Sequence, residues 1–137
     1  MIFEGIHTPV ITPHRDDGSI DRDAFAAQID WLIGQGVHGL INGGSTGEYY
    51  AQSMEERREM ASLAMDVVAG RVPLMVGTVA VRQQDSIAMA EHAARIGAAA
   101  ILVGSPPYSV PTERENALNA LAIDRAADLP IMLYNYP

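Results

Sequence analysis

Two hydroxyls stand among glycines at Gly43-Gly44-Ser45-Thr46-Gly47, directly after a short apolar segment and directly before Glu48. Glycines let backbone N–H groups converge, and Ser45 and Thr46 add two more donors, so the loop suits an anion such as a carboxylate or a phosphate. A glycine-rich turn after a strand is more often only a turn, so the loop gains meaning from its partners. Tyr134 sits near the end of the sequence and Tyr108 in the stiff stretch Ser105-Pro106-Pro107-Tyr108-Ser109-Val110-Pro111. A phenol can both donate and accept a hydrogen bond, although its free pKa is near ~10. The most consequential count is a zero: all nine basic residues are arginine, so a step that needs a side-chain amine cannot be completed by this sequence.

Other chemistries fall to composition and spacing. There is no cysteine, which removes disulfides, thiolate nucleophiles and cysteine-bound metals. His7, His14, His38 and His92 show neither i, i+4 pairing nor a carboxylate at ligand spacing, so no metal is assigned, and no cofactor is expected. The net charge is -8, and the arginines form no basic stripe, which argues against nucleic acid. No apolar span long enough for a membrane and no basic, apolar leader is visible, and the composition fits a reducing cytoplasm. Arg82 and Glu48 are read as a solvated helix-start residue and a structural acceptor, and His92 as a helix-surface residue.

These residues need elements to hold them. Ile6 to Thr12 reads as a first strand, and Asp21 caps a helix whose Phe25, Ile29, Leu32 and Ile33 share one face. Gly39-Leu40-Ile41-Asn42 is a second strand. Ser53 with Glu56 forms a capping box before a helix lined by Met60, Leu63, Ala64, Val67 and Val68, which Gly70 closes. Pro73 to Thr78 is a third strand, Asp85 to Ile96 a helix, and Ala99 to Gly104 a fourth strand. Thr112 and Glu115 make a second capping box for a helix carrying Leu118, Leu121 and Ala122, and Pro130 to Asn135 is the fifth strand. Trp31 reads as core or interface filler.

Strands apolar throughout, alternating with helices, predict an α/β domain whose parallel sheet is covered on both faces. Pattern alone leaves two architectures: a doubly wound five-strand domain, or the first part of a TIM (β/α)8 barrel. Both place working residues at the carboxyl ends of the strands, here Thr12, Asn42, Thr78, Ser105 and Tyr134. A phosphoacceptor domain needs clustered carboxylates and a lysine there. A dinucleotide or flavin site needs its glycine loop after the first strand. Neither condition is met.

Gly-Ser-Thr-Gly-Glu after the second strand and Tyr134-Asn135-Tyr136-Pro137 at the fifth resemble two signatures of the dihydrodipicolinate synthase / N-acetylneuraminate lyase family. Thr8-Pro9-Val10-Ile11-Thr12-Pro13 and Pro106-Pro107-Tyr108 look like its first strand and its proline-and-tyrosine loop, so the resemblance runs along the whole sequence. It implies a single partial (β/α)8 barrel domain over residues 1–137, carrying β1 to β5 and four helices and stopping after the fifth strand. It further implies Schiff-base lyases or synthases acting on pyruvate or a related 2-oxo acid, usually tetramers or dimers of dimers, with the lysine on a sixth strand.

By that resemblance Gly44, Ser45 and Thr46 would hold the substrate carboxylate. Tyr134 would move protons, relayed by Ser45 and by Tyr108 from a neighbouring subunit. The Gly-Ser-Thr-Gly-Glu variant leans toward lyases acting on sugar acids, and a sugar-acid dehydratase is a further alternative. The rival class is a non-catalytic half-barrel that binds a small carboxylate or packs against a partner. On either reading the 137 residues alone are expected to be inactive, and their unpaired first and fifth strands to favour association.

Overall fold

The capping residues sit where their chemistry requires them. The computed structural model describes residues 3–135, and Tyr136 and Pro137 of the last signature lie outside that range. Strands β1 (His7–Pro9), β2 (Gly39–Asn42), β3 (Leu74–Gly77), β4 (Ala100–Gly104) and β5 (Ile131–Tyr134) alternate with helices α1 (Arg22–Gly34), α2 (Met54–Val68), α3 (Gln83–Ile96) and α4 (Glu113–Ala127). The Asp21 carboxylate accepts from the Ala24 N–H, starting α1. Both capping boxes close: Ser53 with Glu56 at α2, and Thr112 with Glu115 at α4. The backbone N–H groups of Ser53 and Thr112 hold the Glu56 and Glu115 carboxyls below the usual carboxylate range. β1 is shorter than expected; past it the Val10 N–H still donates to the Ile41 carbonyl (3.0 Å), and the Ile11 N–H, facing away from β2, donates to Gln28 Oε1 (3.0 Å).

All four strand pairings are parallel, and the order is β1-β2-β3-β4-β5. A doubly wound domain reverses its strand order at a switch point. This sheet has no reversal, and its helices all lie on one face, which makes it the opening five strands of a (β/α)8 barrel. Leu40, Leu74, Val76, Ile101 and Val103 point toward the helices and join Phe25, Ile29, Met60, Ala64, Met89, Ala93 and Ile123 in the main core. Each such fully buried aliphatic or aromatic side chain contributes about 1.5–3 kcal/mol.

The opposite face is not covered by helices, contrary to the two-sided covering predicted above, because it is the inner wall of the barrel. It carries a second cluster of Met75, Ala100 and Leu102, with Ile41 and Met132 against it. Register places Pro9 beside Ile41, Ile41 beside Met75, Met75 beside Ala100 and Leu102 beside Met132 on that wall. At its amino end the His7 ring fills the space above Gly39, where a Cβ would lie 2.3 Å from Nδ1. Both nitrogens of that ring are buried without a hydrogen-bond partner among the described residues.

One helix-face expectation is corrected and two surface readings are sharpened. In α4 the buried stripe is Asn119, Ile123 and Ala127, whereas Leu118 and Leu121 are about half exposed. Trp31 on α1 is exposed, which excludes the core half of the core-or-interface reading and leaves the other half. Both helices flank the open sides of the described sheet, α4 packing on α3 and β4, and α1 on α2. Their outer apolar residues are therefore only partly covered by the described residues. His92 lies on the helix surface but only partly exposed, and it has a structural role: its Nε2 lies 3.0 Å from both Ser62 Oγ and the Arg58 carbonyl oxygen, stapling α3 to α2.

Arg95 Nη1 stands 3.5 Å from His92 Nδ1, and since a guanidinium can only donate, the neutral ring carries its proton on Nε2. Burial lowers the His92 pKa, the Arg58 carbonyl opposes that, and the Arg95 and Arg58 charges lower it further. The folded protein thus binds this proton less readily than the unfolded chain. Its stabilising contribution is complete above the ordinary imidazole value near ~6.5 and is lost as pH falls toward the lowered folded value. Thermal melts from pH 7 to pH 5 should show a larger drop in melting temperature for the parent than for His92→Gln.

Candidate active site

At the carboxyl end of the inner wall the strands open into a cavity of about 450 Å³. Pro9, Ile41, Leu102 and Met132 form its floor, and Val79 and Tyr49 form its sides. Gly43, Gly44, Ser45 and Thr46 line one edge and Tyr134 another. None of the lining residues carries a charge, so polar recognition falls to hydroxyls, phenols and backbone.

The glycine loop is fixed at both ends by close backbone approach. Gly43 has a φ of 75°, the left-handed region that glycine enters without strain. Its carbonyl oxygen passes Gly77 so closely that a Cβ on Gly77 would lie 2.2 Å from it. At the other end a Cβ on Gly47 would lie 2.9 Å from the Val10 carbonyl oxygen. The Gly47 carbonyl accepts from Thr12 Oγ1 (2.8 Å) and from Gln52 Nε2 (2.8 Å), and Gln52 Nε2 also donates to Thr12 Oγ1 (3.0 Å). This clamp was not read from the sequence. Its signal was slight, a single amide residue at the end of the loop.

Between these anchors Ser45–Gly47 form a 3₁₀ turn in which the Gly47 N–H bonds back to the Gly44 carbonyl. The N–H groups of Ser45 and Thr46 start that turn and have no carbonyl partner among the described residues. Ser45 and Thr46 thus bring two backbone N–H groups and two hydroxyls to residues that line the cavity edge, donor chemistry of the kind that can bind an anion without an arginine.

Gly44, Ser45, Thr46 and Tyr134 are thus gathered on one cavity. Tyr108 is not: it stands fully exposed on the loop after β4, at a φ of 70°, a conformation bulky residues rarely adopt. The hydroxyls of Thr12 and Thr78 serve structure, Thr78 Oγ1 donating to the Leu102 carbonyl (3.2 Å). Glu48 differs from expectation. Its φ of 54° turns the chain between Ser45–Gly47 and a second 3₁₀ turn, Tyr49–Ala51. Its exposed carboxylate makes no hydrogen bond or ion pair among the described residues. Arg82 sits solvated at the start of α3, 3.7 Å from Asp85, as read from the sequence.

Sequence reasoning missed Arg57. It is 5% exposed and donates from Nη2 to the Gly77 carbonyl (3.2 Å), with its guanidinium carbon 5.1 Å from the Tyr49 ring centroid. A signal existed, since Arg57 falls in phase with Met60, Ala61, Ala64 and Val68 on the buried face of α2.

A one-sided run of parallel strands with a glycine-rich loop at the carboxyl edge is a half-barrel of the architecture in which strand-end loops carry the working residues. The chain belongs to the dihydrodipicolinate synthetase family, whose sequence profile matches residues 2–137. It is 38% identical over 136 residues to the 4-hydroxy-tetrahydrodipicolinate synthase of Chelativorans sp. (strain BNC1), covering 99% of this chain and 46% of that protein. The crystal structure of YagE, a prophage protein of the dihydrodipicolinic acid synthase family from E. coli K12 in complex with pyruvate, superposes with a TM-score of 0.95 at 38% identity. That match covers 100% of this chain and 46% of that one. N-acetylneuraminate lyase from Mycoplasma synoviae superposes with a TM-score of 0.93 at 28% identity, covering 99% and 46%. The chain spans about half the length of the relatives it matches.

If Gly43 against Gly77 sets the loop, Gly77→Ala should destabilise the protein by about 1–3 kcal/mol through forced backbone displacement. Gly44→Ala, where a Cβ meets nothing within 4 Å, should change stability by about 0.5 kcal/mol or less. Paired denaturant titrations check both.

Proposed function

We propose that this chain supplies the substrate-carboxylate and proton-transfer half of a Schiff-base lyase or synthase acting on pyruvate or a related 2-oxo acid. The observation that carries the reading is the single cavity shared by Gly44, Ser45, Thr46 and Tyr134. The Ser45 and Thr46 N–H and hydroxyl groups receive the carboxylate. The apolar floor of Ile41, Leu102 and Met132 accommodates the short carbon chain. Pyruvate is the ligand named for the YagE complex.

In the covalent step an amine attacks the keto carbon and the keto oxygen leaves as water, which needs a group that can both give and take protons. Tyr134, half exposed at the cavity edge, serves as that shuttle, relayed through the Ser45 hydroxyl and through Tyr108 of a second copy. The strained backbone and full exposure of Tyr108 support a side chain held out for a partner, and a homo-oligomer, dimer of dimers or tetramer, follows from that role. Such strain clusters at functional sites.

The amine itself comes from a lysine outside these 137 residues, which contain none. The 46% coverage of the relatives and the exposed apolar residues on the open flanks, Leu118, Leu121 and Leu133 beside β5 and Ile6 beside β1, support further strands completing the barrel. The absence of lysine also favours a second reading of the chain by itself, a carboxylate-binding half-barrel without turnover.

Borohydride reduction in the presence of pyruvate, read by mass spectrometry, should give no side-chain adduct on this chain. A form extended through a lysine-bearing sixth strand should give one adduct, on that lysine. An extended form that turns over substrate without being trapped would end the Schiff-base reading. In the same extended form Tyr134→Phe should lower kcat by about 10²- to 10⁴-fold with a smaller change in KM.

A further inference from the structure

Arg57 carries a charge into the buried face of α2, between the main core and the cavity wall. Its Nη2 holds the Gly77 carbonyl and its Nη1 lies 3.9 Å from Met54 Sδ, while its Nε is buried with no hydrogen-bond partner. No carboxylate lies within ion-pair distance of it among the described residues. Burial pulls its pKa below the ordinary arginine value, with Tyr49 and Asp85 pulling the other way, and the group remains protonated. A buried cation without a counter-ion is unfavourable, and stacking on Tyr49 and one carbonyl bond offset only part of that. The Tyr49 ring on which it stacks is itself a wall of the cavity, which has no charge of its own.

We propose that Arg57 is the positioning residue and buried counter-charge of the carboxylate cradle: it fixes the Gly77 edge against which Gly43 turns, backs the Tyr49 wall, and biases the uncharged cavity toward anions. This rests on the carboxylate-binding reading above. The charge acts through the protein interior rather than by contact, so the effect is on affinity for the ionised group. A purely structural staple would affect every ligand alike.

Amide-shift titrations of this chain with pyruvate and with its neutral amide, pyruvamide, separate these roles in the parent, Arg57→Lys and Arg57→Met. The parent is expected to prefer pyruvate. Arg57→Lys keeps the charge and should hold pyruvate affinity within about threefold. Arg57→Met should bind pyruvate roughly tenfold more weakly, the size expected of a buried charge at an intermediate dielectric, while pyruvamide affinity, which feels only the lost positioning, falls by no more than about threefold. Equal weakening of both ligands in Arg57→Met, unaltered pyruvate affinity in that variant, or loss of pyruvate binding in a folded Arg57→Lys each overturns the proposal. Should Arg57→Met not fold, Arg57→Lys decides. A parent that binds neither ligand overturns the carboxylate reading and this proposal with it, whereas a parent that binds pyruvate with no Arg57 dependence overturns this proposal alone.

Discussion

Gly43 and Gly77 meet backbone to backbone, and a single added carbon on Gly77 would sit 2.2 Å from the Gly43 carbonyl oxygen. That contact is the constraint on which the site depends. It brings the carboxyl end of β2 so close to β3 that the chain must turn at once, in a left-handed conformation, into the loop of Ser45 and Thr46. The other carbonyl of the pair, on Gly77, is free to accept from Arg57, which then backs Tyr49. The second anchor, Gly47 against Thr12 and Gln52, keeps the turn from swinging away. A loop of glycines would otherwise be the most mobile part of the edge. Here its permissiveness is spent on close packing.

The sheet divides the molecule's work between its faces. The helix side carries most of the buried apolar surface and with it the stability, in a layer running from Val10 to Ala127. The inner side carries few residues, and its glycines at 39, 77 and 104 make room for the His7 ring, the Gly43 turn and the Val79 side chain respectively. Since inner and outer positions alternate along each strand, the inner-face residues toward the carboxyl ends, Pro9, Ile41, Leu102 and Met132, are the strand residues that line the cavity. The cavity's neutral lining follows from the same division: the charge that bears on it comes from behind the wall, on α2.

Much of this was legible in the sequence because it is local. Asp21, Ser53 with Glu56, and Thr112 with Glu115 act within a few residues of themselves, so their spacing declares them. β2 was readable to the residue because glycine and asparagine bound a purely apolar run. The choice between a doubly wound domain and a barrel was not local, and only the strand order resolves it, although the motif resemblance had already pointed to the barrel. The gathering of Ser45, Thr46 and Tyr134 on one cavity followed from that architecture. What escaped were polar contacts between distant elements: Gln52 to Thr12, His92 to Ser62, and Arg57 to Gly77. Hydrophobic periodicity treats a polar residue as outward-facing, and these three violate it because each has a partner that no spacing reveals. Leu118 and Leu121 failed in the opposite sense, being apolar residues in helical phase that the described elements leave about half exposed.

The cradle itself is open to one direct measurement, a crystal structure of the protein with pyruvate bound. The carboxylate is expected against the backbone N–H and hydroxyl groups of Ser45 and Thr46, with the keto carbon above the Leu102 and Met132 floor and turned toward Tyr134. A carboxylate seated away from the Gly43–Gly47 turn, at Arg82 or outside the cavity, would contradict the assignment of this edge as the substrate site.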